Sequence, residues 1–229
     1  MMPKIIHCFW AGGPKTKLAE RCLASWRRFA PGWEIREWSL SDVGTLQGEG
    51  RAFFEAASAN RKWAMASDWV RMAVLWNVGG IYLDLDVELI APIGNLPDGE
   101  WVAGEWMTSG AVGMNPGSGI ALEKGSPIAA AMLGSYGMVA FDPDREMMPW
   151  IAANLSDAIR ASGSLRVLAP EVMSPIDVEG RMHRTDRTVG IHWYAMSWCG
   201  PKRRFARWLS WHGMRPLVEF LLKLKNGSD

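Results

Sequence analysis

Two aspartates separated by one leucine, Asp84-Leu85-Asp86, are the residues whose types and spacing best suit chemistry. In an extended segment, side chains two residues apart point to the same side, so the two carboxylates are predicted to share a face while Leu85 points inward. Neighbouring carboxylates repel each other unless a cation neutralises them. Hard oxygen ligands suit Mg²⁺ or Mn²⁺, which proteins often hold with one or two carboxylates and substrate phosphates.

The surroundings of this pair favour a metal site over a merely solvated strand end. Residues 81–85 form an apolar run after the turn signal Gly79-Gly80, which predicts a central buried strand. Ligands of parallel sheets bind beyond the carboxyl ends of strands, where the acidic pair falls. A motif this short is common by chance, so the metal interpretation depends on the rest of the chain.

The elements around the pair predict an α/β fold. An apolar strand, an amphipathic helix and an alternating strand come first and indicate a βαβ unit with parallel pairing. The predicted strands are residues 4–10, 33–38, 81–85, 101–105 and 188–193, and the predicted helices are residues 18–29, 51–78, 127–136 and 150–162. Ser67 is expected to mark a break or a cap within the long helical segment 51–78.

Composition excludes several classes of protein. The chain has 229 residues, a formal net charge of +1 and 48% hydrophobic residues, which is typical of a globular protein and gives no electrostatic reason to expect nucleic acid as a partner. The three cysteines have no CxxC spacing, so reduced thiols are expected. No signal-peptide pattern and no apolar run of the ~18–20 residues needed to span a bilayer occur, which predicts a cytoplasmic protein.

Several ordered motifs resemble glycosyltransferase family 32, the DxD-containing sugar transferases. That family includes yeast initiating mannosyltransferases and bacterial capsule and lipopolysaccharide enzymes, and the sequence is also similar to the glucosylating domain of the large clostridial toxins. The motifs are Pro3-Lys4-Ile5-Ile6-His7-x-x-Trp10-x-Gly12-Gly13, Ser67-Asp68-x-x-Arg71, Gly79-Gly80-Ile81-Tyr82-Leu83-Asp84-x-Asp86 and Ile191-His192-x-Tyr194-x-x-Ser197-Trp198. Several motifs in order, spread over nearly the whole chain, are far more specific than one DxD.

The resemblance implies a GT-A fold, a nucleotide-binding α/β sandwich around a mostly parallel sheet, and a retaining transferase that uses a nucleotide-activated sugar. It implies that Asp86 is the direct metal ligand and that Asp84 contacts the sugar donor, or the metal through water. Asp68 and Arg71 match residues that hold the donor sugar and phosphate, and Trp10 matches an aromatic that stacks on the nucleobase. The predicted catalytic residues are therefore Asp84, Asp86 and Arg71.

The chemistry of these side chains agrees with the implied roles but leaves alternatives open. Asp68 and Arg71 are three residues apart and so face one way on a helix, where an intrahelical ion pair is the simpler interpretation. A carboxylate can accept hydrogen bonds from sugar hydroxyls, and a guanidinium can neutralise phosphate oxygens. Trp10 taken alone suits the core, whereas the Gly12-Gly13 turn after it favours a ligand-binding position.

The later motifs are expected to complete the site. The resemblance assigns the third metal ligand to His192 or to the loop that carries Ser197 and Trp198, which are also expected to contact the sugar donor. Asn115 precedes a Gly-rich stretch and either hydrogen-bonds the donor sugar or acceptor or forms an Asn-Pro turn. Glu105 is predicted to lie near the acceptor.

The segment 201–229 differs from the rest of the chain. Basic residues interleave with tryptophan, phenylalanine and leucine, as in an amphipathic helix at an anionic membrane surface, and packing on the catalytic domain 1–200 is the alternative. Peripheral contact with the inner face of the membrane through 201–225 is therefore expected.

The predicted reaction moves a hexose from a nucleoside diphosphate to a hydroxyl of a glycan or lipid-linked glycan, with Mn²⁺ or Mg²⁺ as cofactor. A UDP-sugar is the first expectation for the donor and GDP-mannose the second. A non-catalytic sugar- or nucleotide-binding module is the alternative, and a glycoside hydrolase fits less well because its two carboxyls flank the scissile bond from different elements.

Overall fold

The structure, a computed structural model, describes residues 2–162 and 165–195. Its strands are β1 (Ile5–Phe9), β2 (Glu34–Trp38), β3 (Gly80–Tyr82), β4 (Val87–Leu89), β5 (Trp101–Trp106), β6 (Val112–Met114), β7 (Ile120–Leu122), β8 (Arg166–Leu168) and β9 (Gly190–His192). Its helices are α1 (Lys17–Phe29), α2 (Leu40–Val43), α3 (Arg51–Ala59), α4 (Trp63–Val78), α5 (Pro127–Met138), α6 (Met147–Ser162) and α7 (Pro170–Met173).

A seven-stranded sheet forms the centre, with strand order β2-β1-β3-β7-β5-β6 and with β8 paired to β5. Strands β1, β2, β3, β5 and β8 run in one direction, whereas β6 and β7 run against them. The β1-α1-β2 unit has the predicted parallel pairing. The predicted α/β architecture around a mostly parallel sheet is confirmed.

Apolar residues on the two faces of this sheet belong to two separate cores. The core on one face includes Tyr82 and Val102 and is covered by α3, α4, α5 and α6. The core on the other face includes Ile81 and Trp101 and is covered by α1 and α7. Adjacent residues of one strand point to opposite faces, so the sheet is a middle layer between two layers of helices.

A buried histidine links the first three strands of the central sheet. The Nδ1 atom of His7 on β1 accepts a hydrogen bond from the indole N–H of Trp38 on β2 at 3.0 Å. Its Nε2 atom lies 2.9 Å from the carbonyl oxygen of Gly79 and donates to it, because Nδ1 is already an acceptor. Burial lowers the pKa of His7 to about 4, so the ring is neutral near pH 7.

The predicted helical break at Ser67 is wrong. The chain breaks at residues 60–62, where Arg61 has a left-handed φ of 55° and ends the turn after α3. Ser67 lies inside α4, and its hydroxyl is 3.0 Å from the hydroxyl of Tyr82 instead of capping a backbone N–H. Helix α4 therefore runs unbroken beneath the sheet and carries Asp68 and Arg71 on the same helix.

A second, two-stranded sheet joins distant parts of the chain. Strand β4 pairs antiparallel with β9, with Val87 opposite His192. Because β4 directly follows the Asp84–Asp86 segment, this pairing brings the end of the described chain beside the acidic pair. Among the described helices, none has both the length and the hydropathy required to cross a membrane.

Candidate functional site

The acidic pair lies in a tight turn rather than in an extended strand. Strand β3 ends at Tyr82, and the amide N–H of Val87 donates to the carbonyl oxygen of Asp84 at 3.0 Å, which closes a four-residue turn. The expectation of an extended segment is thus wrong in its geometry. Leu85 is buried as expected, and the two carboxylates converge because the turn, not strand alternation, brings them together.

Arg71 connects helix α4 to this turn. Its Nη1 atom donates to Asp68 Oδ1 at 2.8 Å and its Nη2 atom donates to Asp84 Oδ1 at 3.0 Å, while its side chain is only 3% exposed. The guanidinium also lies over the ring of Tyr82, 4.9 Å from the centroid. The intrahelical ion pair considered from the sequence exists, and the same guanidinium continues to the acidic turn.

Burial and neighbouring charge set the protonation of the aspartates. Burial raises the pKa of Asp68 to about 6, with the Arg71 guanidinium opposing it. Burial likewise raises the pKa of Asp84, and the nearby Asp86 adds to this effect while Arg71 opposes it. A positive charge beside Asp84 stabilises its ionised carboxylate, so binding of a cation at this position is energetically favourable.

Asp86 and His192 form the other half of the cluster. Asp86 Oδ1 lies 3.2 Å from Nε2 of His192, and its Oδ2 accepts the backbone N–H of Ala195 at 2.7 Å. Burial raises the pKa of Asp86, but the charge and hydrogen bond of His192 outweigh it, and the pKa lies below its ordinary value. Burial lowers the pKa of His192, and Asp86 outweighs that effect so the pKa is raised.

A serine orients the histidine. Ser118 Oγ lies 2.7 Å from Nδ1 of His192, and both side chains are buried. When Nδ1–H donates to this hydroxyl, Nε2 is the ring nitrogen that faces Asp86 and can bind a metal after losing its proton. Ser118 was not singled out in the sequence, because a lone serine in a Gly-rich stretch carries no distinctive signal.

The loop before Ser118 supports both halves of the cluster. The side-chain oxygen of Asn115 accepts the backbone N–H groups of Gly117 and Ser118 at 3.0 and 3.2 Å, and its amide donates to Glu105 Oε2 at 2.7 Å. This arrangement favours the turn interpretation of Asn115, with a ligand role still a prediction. Gly117 in turn accepts the amide N–H of Asp84 at 3.0 Å, so the loop positions the acidic turn.

Asp84, Asp86 and His192 lie close enough together to be ligands of one divalent metal ion. One potential ligand atom from each lies within 4.8 Å of the others. Two carboxylates and an imidazole are ordinary ligands of divalent cations, and the close approach of Gly117 leaves no room for a side chain beside Asp84 Oδ2. The donor set therefore fits a single divalent ion held between the acidic turn and β9.

Trp10 lies at the same edge of the central sheet as the acidic turn. It directly follows β1, the neighbour of β3, and its half-buried ring is fixed by an indole N–H donated to the Gly13 carbonyl at 2.8 Å. Trp10 and the acidic turn thus follow the carboxyl ends of adjacent parallel strands. Ser197 and Trp198 lie outside the described residues.

Comparisons with known proteins agree with this geometry. Residues 16–103 match the family described as "Glycosyltransferase sugar-binding region containing DXD motif", and the match contains α4 and the acidic turn. The resemblance predicted from the sequence is confirmed, and Asp84-Leu85-Asp86 is the DXD element of the matched segment.

One solved structure extends the agreement to the fold. "PaToxG Glycosyltransferase" is 20% identical, with 70% of this chain and 68% of that chain covered and a TM-score of 0.54. A glycosyltransferase "involved in the glycosylation of the major capsid of PBCV-1" is 14% identical, with coverage of 93% and 100% and a TM-score of 0.49. The likeness to the first confirms the predicted GT-A-type fold. No curated protein sequence matches the chain.

Proposed function

We propose that this protein is a DXD-type glycosyltransferase, a metal-dependent, retaining hexosyltransferase that transfers sugar from a nucleoside diphosphate to a hydroxyl of a glycan or glycolipid. One observation carries the proposal. One ligand atom each of Asp84, Asp86 and His192 lies within 4.8 Å of the others, beyond the carboxyl end of a central strand. Arg71 donates a hydrogen bond directly to Asp84. Two carboxylates and an imidazole that can hold a cation, with one carboxylate fixed by a guanidinium, suit the binding of a sugar diphosphate through that cation.

Each residue of the cluster has a separate role in this proposal. Asp86 and the Nε2 atom of His192 hold the metal, and Asp84 contributes either a direct bond or one through water. When bound, a divalent cation neutralises the charge that develops on the leaving diphosphate. Mn²⁺ suits the mixed oxygen and nitrogen ligands better than Mg²⁺, which prefers oxygen.

The remaining predicted residues bind the sugar donor. Asp68 accepts hydrogen bonds from sugar hydroxyls through the oxygen that Arg71 does not occupy, and Arg71 keeps that carboxylate and Asp84 in place. The half-exposed ring of Trp10 stacks on the nucleobase beyond the end of β1. A UDP-sugar remains the first expectation for the donor and GDP-mannose the second.

The transfer itself exchanges one bond at the anomeric carbon. The bond from that carbon to the diphosphate oxygen breaks, and a bond to the acceptor oxygen forms on the same face of the sugar. The acceptor's hydroxyl proton passes to the departing phosphate oxygen, so the leaving group is its own base. Proton NMR of the first product tests this step, because an inverted anomer would exclude it and would leave Glu105 as a candidate base.

Nucleotide binding that requires both the metal and the DXD element is the direct test. Thermal unfolding is measured with UDP or GDP, with and without Mn²⁺, for the wild-type chain and for Asp86→Asn. We expect nucleotide to raise the melting temperature only with Mn²⁺, and the variant to lose this effect because one metal ligand is neutralised. Asp157→Asn is the matched control, since Asp157 is an exposed helical aspartate whose side chain is 68% accessible.

The alternatives give different results in the same measurements. Equal stabilisation by nucleotide without Mn²⁺ and in Asp86→Asn would contradict the metal-dependent transferase and favour a simple nucleotide-binding module. Cleavage of glycosides without any sugar nucleotide would favour a hydrolase. Screening sugar nucleotides for Mn²⁺-dependent hydrolysis then identifies the sugar donor.

The segment 201–229 lies outside the described residues. Peripheral membrane contact through 201–225 and a cytoplasmic location therefore stay predictions from the sequence. Capsule or lipopolysaccharide synthesis is the cellular setting that such an acceptor and location would fit.

A further inference from the structure

A pocket of about 210 Å³ lies beside the metal cluster and has no role in the proposed binding of the sugar donor. Its wall combines the end of β5, which carries Glu105 and Trp106, with a loop that carries Asp177 and with Tyr194 after β9. This volume is below the ~300–1,000 Å³ of pockets for drug-sized ligands. The pocket therefore suits a group about the size of one sugar ring.

Tyr194 forms the boundary between this pocket and the metal cluster. Its ring stacks on the ring of His192, with 4.0 Å between the centroids and 29° between the planes. Its hydroxyl donates to Glu105 Oε2 at 3.3 Å, the same oxygen that accepts from Asn115. Tyr194 also has a left-handed φ of 49°, an uncommon backbone conformation for a residue other than glycine. A group in the pocket would thus lie one ring away from a metal ligand.

Two polar groups of the wall remain available for a ligand. Glu105 uses only Oε2 in hydrogen bonds to described residues, so within that part of the chain Oε1 is an open acceptor. The indole N–H of Trp106 has no hydrogen-bond partner among the described residues, and its ring is half-buried. A carboxylate oxygen and an indole N–H beside an aromatic surface are complementary to hydroxyl groups and to the apolar face of a sugar ring.

The outer wall is held in place by hydrogen bonds within its own loop. Asp177 Oδ1 accepts the backbone N–H groups of Glu179 and Arg181, each at 2.9 Å, and Oδ2 lies 2.7 Å from Nε2 of His183. The ring of His183 packs against Trp106, with 4.9 Å between the centroids. Burial raises the pKa of Asp177, but these hydrogen bonds outweigh it and the pKa is lowered. The loop therefore keeps Asp177 ionised and presents Trp106 as a fixed surface.

We propose that this pocket is the acceptor subsite and that it binds a neutral sugar ring, with Trp106 as the platform and Glu105 as the acceptor of a sugar hydroxyl. The inference rests on the proposed transferase function and adds where the acceptor lies. The described lining contains two carboxylates, Glu105 and Asp177, and no lysine or arginine. Repulsion from these carboxylates favours the binding of neutral rings. It disfavours the binding of uronic acids and of phosphate-bearing acceptors.

Ligand-observed NMR on the full chain with Mn²⁺ and either UDP or GDP tests the subsite. The probes are methyl glycosides of glucose, galactose, mannose and N-acetylglucosamine, with methyl glucuronide as the charged counterpart. We expect at least one neutral glycoside to bind more tightly than the glucuronide. Trp106→Ala should weaken that binding about tenfold and Trp106→Phe about threefold or less, because an aromatic surface remains. Met148→Ala, at an exposed methionine on α6, should leave binding unchanged.

The preference of the subsite for a neutral glycoside over the charged glucuronide is the second measurement. Glu105→Gln removes the open carboxylate but keeps the shape and the hydrogen-bonding oxygen, so the preference for the neutral glycoside over the glucuronide should fall severalfold. If nucleotide and Mn²⁺ still stabilise the chain but no glycoside binds, or if Trp106→Ala binds as wild type does, the acceptor subsite is overturned while the proposed function stands. Absence of any Mn²⁺-dependent nucleotide binding would overturn both.

Discussion

Asp84 shows how one residue can be positioned by several parts of the chain at once. Arg71 donates to its Oδ1 atom from helix α4, and the carbonyl oxygen of Gly117 accepts its backbone N–H. A side-chain carbon at Gly117 would lie 2.5 Å from Asp84 Oδ2, which is closer than such atoms ever approach. The position of this carboxylate therefore depends on the absence of a side chain at residue 117 as much as on Arg71.

Gly117→Ala should disable the site without unfolding the protein. Gly117 does not have a left-handed φ, so alanine adds no backbone strain, but its methyl group would displace the Asp84 carboxylate. We expect transferase activity to fall by about tenfold or more, on the scale by which small misplacements slow catalysis. Initial rates of Mn²⁺-dependent sugar-nucleotide hydrolysis measure the effect.

Gly94→Ala is the control for this substitution. A side-chain carbon at Gly94 would meet nothing within 4 Å, and this glycine also lacks a left-handed φ. Its hydrolysis rate should equal that of the wild type. A Gly117→Ala enzyme with the same rate as Gly94→Ala would mean that the position of Asp84 does not matter for the reaction.

His7 should make the fold less stable in acid. Burial, with a smaller effect of the Arg36 charge, lowers its pKa from 6.5 to about 4, although the hydrogen bond to Gly79 and the Glu34 charge oppose this shift. Above pH 6.5 the ring is neutral in both the folded and the unfolded chain, so it contributes no pH dependence. As pH falls from 6.5 towards 4, only the unfolded chain binds the proton, and folding should lose about 3 kcal/mol from this residue.

His7→Gln isolates this contribution. Glutamine offers an acceptor to Trp38 and a donor to Gly79 but does not titrate, so its unfolding free energy should fall less between pH 7 and pH 4.5. Asp68, whose pKa is raised to about 6, has the opposite effect and stabilises the fold as pH falls. Because the wild type and His7→Gln both contain Asp68, its effect cancels when their unfolding free energies are compared. Urea unfolding at several pH values measures the difference. Parallel curves for the two proteins would show that His7 is not the acid-sensitive group.

At the scale of elements, sequence pattern was most successful where helices and strands are long and periodic. The β1-α1-β2 unit, α5 and α6 were all predicted to within a few residues because dense apolar spacing defines them. Strands β4, β6, β7 and β8 were missed, and each has three residues, which are too few to show an alternation. Strands β3 and β9 are equally short but overlap the longer predicted runs 81–85 and 188–193. These short strands owe their pairing to long-range hydrogen bonds that a local pattern does not contain.

The same limit applies to the candidate site. Asp84, Asp86, Asp68 and Arg71 were predicted as site residues because they belong to compact motifs, and His192 was predicted through family resemblance. Their supporting residues were not recognised, because Ser118 contacts His192 across 74 positions of sequence. The turn that joins the two aspartates was also mistaken for a strand, since Leu85 is buried in either conformation.

Helix α4 should depend strongly on Arg71. Its guanidinium pairs with Asp68 and Asp84 and is 3% exposed, so Arg71→Ala would leave two carboxylates without their cation. Breaking a buried ion pair by removing one partner costs about 3–5 kcal/mol, which should appear as a loss of unfolding free energy in urea. Mn²⁺ should recover part of that loss, because it supplies positive charge beside Asp84.

Arg160→Ala is the matched control for α4. Arg160 also pairs with an aspartate three residues earlier on a helix, Asp157, but its side chain is 76% exposed. Such surface pairs contribute less than about 0.5 kcal/mol, so its unfolding curve should nearly coincide with that of the wild type. If the two substitutions lowered the unfolding free energy equally, the ion pairs of Arg71 would contribute no more than a surface pair. Arg71 would then not be the link between α4 and the acidic turn.

At the scale of the whole molecule, the cluster is where separate parts of the chain are joined. Helix α4 contributes Arg71, the turn after β3 contributes Asp84 and Asp86, the loop before β7 contributes Ser118, and β9 contributes His192. The β4–β9 pair closes this arrangement, because Trp193 and Ala195 donate their backbone N–H groups to Asp86. A ligand that binds the cluster should therefore stabilise distant segments together.

Hydrogen exchange can detect this coupling as Mn²⁺ binds. At saturating Mn²⁺ the amides of Trp193 and Ala195 should exchange about tenfold more slowly, together with those of β4, because opening the pair would break the metal site. Helix α6 has no residue in the cluster, so its exchange should not change.

His192→Ala should abolish the protection in both strands. His183→Ala is the matched control, because His183 also contacts an aspartate through Nε2 but lies outside the cluster, and it should keep the protection. Protection of β4 without β9 would mean that the ion is held by the aspartates alone and that His192 is a structural partner of Asp86.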